Sequence, residues 1–185
     1  MDLRVDIAYD EVAFITACKA NEEWALKRLY EEHYSIMLPV CMRYANCEED
    51  ALDILHEGFI KVFRYIAKYK AGTSLGSWIR RIMINTSIDY YRKEKRRRTE
   101  NIDNAYSLSS NGVDAISALG AQEIIKALQN LTPAYRSVFN LYVIEGYSHK
   151  EVAKILDITE STSRSNLVKA RTKLKDLLAA QGFER

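Results

Sequence analysis

Chain breakers are scarce: two prolines and seven glycines in 185 residues. With Leu, Ala, Ile, Lys, Arg and Glu running throughout, that shortage predicts an all-α protein. Cysteine is scarce as well. Cys18, Cys41 and Cys47 are an odd set without CxxC spacing, which argues against structural bridging and leaves reduced core or boundary residues. Long apolar runs are missing. The first twenty residues carry Asp2, Asp6, Asp10 and Glu11, so no signal peptide is visible, and no stretch approaches the roughly 20 apolar residues of a membrane span. A soluble cytoplasmic protein without membrane insertion is expected. Enzyme signatures are missing too. There is no Gly-rich phosphate loop, no H-E-x-x-H, no G-x-S-x-G and no acidic cluster of metal-site form, and His33, His56 and His149 stand far apart. The chain is read as a non-enzyme with no cofactor and no metal.

What is present is core-forming material and polarised charge. Hydrophobic residues make up 48% of the chain, enough for one ordinary domain or two small ones. The net charge of +2 hides a strong asymmetry: residues 1–57 sum to −8 and residues 58–98 to +10, followed by −3 over 99–118 and +3 over 119–185. Two separate stretches can therefore meet a polyanion.

Helical periodicity predicts a short helix from Asp6 to Cys18 and a longer one from Glu22 to Tyr44, kinked or broken near Leu38 by Pro39. A third is expected from Glu48 to Ile66. A fourth starts near Ser74 or Leu75 and enters the basic run Arg92–Arg98. Thr99 to Asn111 is rich in Asn and Ser and ends at Gly112; it reads as a flexible linker, long enough to argue for two domains. The expected division is 1–98, a linker at 99–113, and 114–185.

The second block has the better-marked boundaries. Asp114 to Asn130 is its first helix; Thr132 caps the next, with Pro133 at its first position, and Gly146 stops it. Ser148 and Glu151 have capping-box spacing and start a helix from His149 to Leu156. After the turn Asp157–Ile158–Thr159, a last helix runs from Glu160 to Ala180. Two helices joined by three residues, sharing Val152, Ile155, Leu156, Ile158, Leu167, Ala170, Leu174 and Leu177, predict a helix-turn-helix. A 100° step per residue turns Thr162, Ser165, Lys169 and Thr172 outward, flanked by Arg164, Asn166 and Lys173, and turns Ser163 inward. Such a face has cations for phosphates and short polar groups for base edges. Ser161 is read as a helix cap or phosphate contact and His149 as a first-turn surface residue.

The second basic cluster, Arg92, Lys93, Lys95, Arg96, Arg97 and Arg98, extends a helix that already carries Arg80, Arg81, Asn85, Tyr90 and Tyr91. Cations beside aromatic rings suit a phosphate backbone and a stacked base. A charged helix end and a protein-docking patch are the alternatives.

Taken together, these blocks resemble the bacterial sigma-70 family of RNA polymerase sigma factors, in the extracytoplasmic-function group, from about Leu26 to Leu178. ALDILHEGFIKVF, Ala51 to Phe63, is similar to the helix that docks on the polymerase beta-prime clamp, which implies Asp53, His56, Glu57 and Phe59 as polymerase-binding residues; His56 replaces the glutamine common there. TSLGSWIRRIMINTSIDYYRKEKRRR, Thr73 to Arg98, resembles the segment that melts the −10 promoter element. It implies DNA contacts by Lys68, Thr73, Ser74, Arg80, Arg81, Asn85, Arg92 and Lys93, with Asp89 as a local salt-bridge partner of Arg92 or Lys93. Leu131 to Leu178 resembles the reader of the −35 element and implies contacts by Thr162, Arg164, Ser165, Asn166, Lys169 and Lys173; Ser161 and Ser163 stand where the family usually has Gly and an apolar residue. The resemblance implies polymerase core and promoter DNA as partners, and by family habit an anti-sigma factor. The rival readings are a stand-alone helix-turn-helix regulator and an antagonist or adaptor acting by protein contact.

Overall fold

A computed structural model describes residues 11–70, 72–100 and 119–180. Every element among them is helical. The first cluster contains α1 (Glu11–Lys19), α2 (Glu23–Met42), α3 (Glu48–Tyr65) with a 3-10 turn at Ile66–Lys68, and α4 (Leu75–Glu100). The second contains α5 (Leu119–Gln129), α6 (Pro133–Phe139) continuing into a π-helical turn at Asn140–Ile144, α7 (His149–Leu156) and α8 (Glu160–Ala180). Most of the expected linker lies outside the described residues, as do the first residues of the expected Asp6 and Asp114 helices. Thr99 and Glu100, assigned to the linker, belong to α4.

The first cluster packs three long helices through their apolar stripes. Ala25, Leu29, Met37, Val40 and Cys41 of α2 meet Ala51, Ile54, Leu55, Phe59 and Val62 of α3 and Ile79 and Met83 of α4. That burial corrects one expectation: α2 does not end at Leu38 but continues through Pro39 to Met42. Pro39 removes one backbone donor, yet the following turn buries Val40 and Cys41, and their packing outweighs the lost bond. Cys18 and Cys41 are buried and Cys47 is exposed; all three are free thiols, and burial pushes the Cys41 pKa up to about 12. Asn21 turns the chain between α1 and α2 in the left-handed region, at φ 59°.

Local signals set the second cluster's boundaries. Thr132 Oγ1 accepts from the Tyr135 amide at the start of α6. Gly146, at φ 77°, ends the π-turn, and the reciprocal Ser148–Glu151 capping box opens α7. The apolar residues predicted to form one helix-turn-helix core divide in two. Val152, Leu156 and Leu167 join the large core with Val138 and Leu141, whereas Ala170 and Leu174 pack on Ala127, Leu128 and Leu131 of α5. α5 therefore secures the far half of α8.

The close approach of α3 and α4 depends on Gly58, where a Cβ would overlap the Met83 sulfur. Gly58→Val is expected to destabilise the chain by about 1–3 kcal/mol through overpacking. Combined with Met83→Ala, it should cost clearly less than the two single losses added, as measured by urea unfolding.

Candidate nucleic-acid interface

α4 carries buried residues on two sides. Ile79, Met83, Thr86 and Ser87 face its own cluster, while Ile84, Ile88 and Tyr91 are buried along a second stripe. Arg81, Asn85 and Arg92 fall within about 40° of one another on the exposed side and form a polar track along the helix. Lys93 is exposed beside it. Before α4, Ser74 Oγ accepts from the Ser77 amide at 3.2 Å and caps the helix; Thr73 Oγ1 donates to the Lys70 carbonyl at 2.9 Å, and the Lys68 ammonium lies 4.9 Å over the Tyr65 ring. Asp89 has the expected local pairing with Arg92, 3.6 Å, and also meets Lys61 of α3 at 3.1 Å.

The predicted α8 face is assembled as read. Arg164, Ser165, Lys169 and Lys173 are exposed, Thr162 and Asn166 half-buried, and Ser163 fully buried. Thr159, rather than Ser161, caps α8: its Oγ1 accepts from the Thr162 amide at 3.1 Å and also contacts the Ser161 and Thr162 hydroxyls. The carboxylate of Glu160 holds Arg164 one turn along. Lys169 and Lys173 border a shallow cleft with Asn130, Thr132, Tyr135 and Thr172, residues outside the predicted set.

His149 departs from the surface reading. Its ring stacks on Tyr142 with centroids 4.2 Å apart, and Nδ1 shares a 2.9 Å hydrogen bond with Ser163 Oγ. The inward serine thus has a partner, and the pair ties the first turn of α7 to that of α8. Desolvation and the nearby Arg164 and Arg171 cations, opposed by Glu160, hold the His149 pKa below its ordinary value.

On α3, Asp53, His56 and Glu57 are exposed. His56 lies 3.3 Å from the Tyr30 hydroxyl, and Glu57 pairs with Lys61 at 3.1 Å. Phe59 is different: it is 2% exposed and packs on Tyr30 at a centroid distance of 4.7 Å, so it supports this face from beneath rather than forming it.

A polar contact between the two clusters has no counterpart in the sequence reading. Glu145, just after the π-turn, places one carboxylate oxygen 2.6 Å from Arg80 and 3.3 Å from Arg43, and its side chain is 7% exposed. Asn140 donates to the Arg43 carbonyl at 2.6 Å, and Arg136, 1% exposed, donates to Asn46 and to the Gln129 carbonyl. Asn46 and the Tyr90 hydroxyl both donate to Asp50, which extends the network into the first cluster. Arg92 donates to the Ile155 carbonyl at 2.7 Å and Lys95 to that of Asp157 at 3.5 Å, placing two cations at the C-terminal end of α7. Arg43 Nε, Tyr44 OH and Asn140 Oδ1 are buried here and find no hydrogen-bond partner among the described residues. The one available signal was Arg136 itself, a cation within the apolar stripe of α6.

Two helical clusters, one ending in a helix-turn-helix and the other in a long basic helix, define a nucleic-acid-binding protein without a metal-ligating cluster among the described residues. Comparison with known proteins makes the class specific. Residues 29–97 match the family model for sigma-70 region 2, and residues 121–174 that for sigma-70 region 4. The chain is 30% identical over 129 residues to the ECF RNA polymerase sigma factor SigM of Bacillus subtilis, covering 69% of this chain and 78% of that protein. It is 32% identical over 162 residues to ECF RNA polymerase sigma factor SigE of Mycolicibacterium smegmatis, covering 84% of this chain and spanning 62% of that relative's length. The sigma factor RpoE from Bartonella quintana, solved with the anti-sigma factor NepR, shares the fold with a TM-score of 0.54 at 21% identity, over 86% of this chain and 98% of that one. The chain belongs to the extracytoplasmic-function family of RNA polymerase sigma factors. No described helix is long and apolar enough to cross a membrane.

Because folding favours neutral His149, the helix-turn-helix has this stabilisation in full above pH about 6.5 and loses it as the pH falls from there toward the lowered pKa. His149→Phe, which keeps an aromatic ring against Tyr142, is expected to flatten that part of a urea-midpoint profile between about pH 7.5 and 5.

Proposed function

We propose that the chain binds RNA polymerase core and directs it to specific promoters, with α8 reading the −35 element and α4 engaging the −10 strand during opening. The working units are residues 1–98 and 114–185, joined by 99–113. The observation that carries this reading is the pairing of two exposed cationic faces, Arg81–Asn85–Arg92 on α4 and Arg164–Lys169–Lys173 on α8, each inside a matched sigma-70 segment. On α8, Ser165, Asn166 and Thr162 supply short polar groups between the cations, the arrangement needed to read base edges once phosphates fix the register. On α4 and before it, Lys68, Thr73, Ser74, Arg80, Arg81, Asn85, Arg92 and Lys93 form the strand-engaging set.

Polymerase binding is assigned to the α3 face of Asp53, His56 and Glu57, with Phe59 holding it in shape. This leaves the work to binding energy alone, spent on duplex recognition by one unit and on holding unstacked bases by the other. An anti-sigma factor is a further partner of the kind NepR is for the Bartonella protein. A cytoplasmic location follows from the same role.

Initiation on a genomic fragment library with purified core polymerase tests the reading, with permanganate reporting opened thymines. Core-dependent start sites are expected; their absence overturns it. Asn166→Ala or Lys169→Ala should change −35 preference, Asn166→Ala by about 1–3 kcal/mol of base discrimination. Arg81→Ala or Asn85→Ala should lower opening with −35 preference retained.

A further inference from the structure

We propose that the contact between the two clusters is an autoinhibitory latch, in which Glu145 and the C-terminal end of α7 occupy Arg80 and Arg92 of the α4 face until DNA takes their place. The inference rests on the α4 reading above and adds to it a closed state with a defined release.

Four observations converge on it. Two residues of the strand-engaging set are bonded across the contact, Arg80 to the Glu145 carboxylate and Arg92 to the Ile155 carbonyl. Both groups that hold them are anionic or carry the negative end of a helix dipole, so each presents to its arginine what a phosphate presents. The latch lies along the second buried stripe of α4, since Ile84, Ile88 and Tyr91 share the helical phase of Arg80, Arg92 and Lys95. Closing this surface therefore covers one flank of the helix while leaving Arg81 and Asn85 exposed. The fourth is the imperfect fit around the ionic centre, where Arg43 Nε, Tyr44 OH and Asn140 Oδ1 gain no partner on closing and regain water on opening. The contact is strong at one carboxylate and poorly matched around it, which makes it a junction that a competing polyanion can exchange rather than a permanent core.

Arg43 makes the proposal separable from simple charge effects. It grips Glu145 but is no part of the strand-engaging set. Loss of a cation by itself weakens DNA binding, whereas opening the latch strengthens it, so Arg43→Ala and Glu145→Gln give the same sign only if the latch exists.

The test uses the full chain carrying Cys47→Ser, with dyes at Glu31→Cys on α2 and Lys175→Cys on α8, and a labelled random-sequence single-stranded DNA as the competing polyanion. In wild type, energy transfer is high in the free chain and falls as DNA is added. Glu145→Gln and Arg43→Ala, each checked for retained helical content, are expected to lower transfer without DNA and to bind the strand roughly three- to tenfold more tightly, as a larger competent fraction requires. Unchanged transfer in Arg43→Ala, or opening without tighter binding in either variant, overturns the latch. Arg81→Ala in the otherwise wild-type chain tests the α4 reading separately: it must weaken strand binding while leaving free-chain transfer unchanged.

Discussion

A single carboxylate, that of Glu145, holds the two halves of this molecule in register. It is nearly excluded from water and faces two guanidinium groups, one from the end of α2 and one from α4. Taking a carboxylate out of solvent costs several kcal/mol, and the cost is recovered only when cations and hydrogen bonds are already in place. The first cluster supplies them because its 58–98 segment is so basic and because Arg43 sits beside Arg80. Burial and the neighbouring Arg80 charge push the Arg43 pKa down, while Glu145 draws it back up, so the carboxylate is what makes two adjacent cations tolerable there. The π-turn after α6 and the left-handed Gly146 deliver Glu145 to that point.

The buried Arg136 network reinforces the same junction with neutral partners. Asn46 bridges Arg136 to Asp50 and Tyr90, and Asp50 together with burial raises the Tyr90 pKa. Charge is thereby spread over two elements of each cluster. The three buried polar atoms without partners offset this gain by about 1–3 kcal/mol each. A junction with strong ionic ties and unsatisfied neighbours is suited to a protein whose two parts must separate to span a promoter.

How much of this was legible in the sequence depended on how local each determinant was. The limits of α7 could be read to the residue because Ser148, Glu151 and the Asp157 turn act within a few positions of themselves. The inward turn of Ser163 followed from helical phase. Pro39 misled, since its propensity argues for a break that tertiary burial of Val40 and Cys41 overrides. Thr159 was passed over as a cap because it was counted with the turn. His149 was read as a surface residue because Tyr142 and Ser163 reach it only after folding. Glu145 had no local signature at all: its partners lie 102 and 65 residues away. Residues that touch solvent on one helix face were recoverable from periodicity; residues that connect two clusters were not.

The family assignment joins these levels. Exposed cations on α4 and α8 follow from sequence, their separation into two clusters from packing, and their coupling from one buried ion group. The coupling is the part on which the rest of the account turns. A double-mutant cycle of Arg43→Met and Glu145→Gln, read by urea unfolding of the full chain, measures it directly. A coupling free energy of about 1.5 kcal/mol or more is the predicted result for a desolvated charge pair. Additivity within about 0.5 kcal/mol would contradict the account, since independent residues add to that degree.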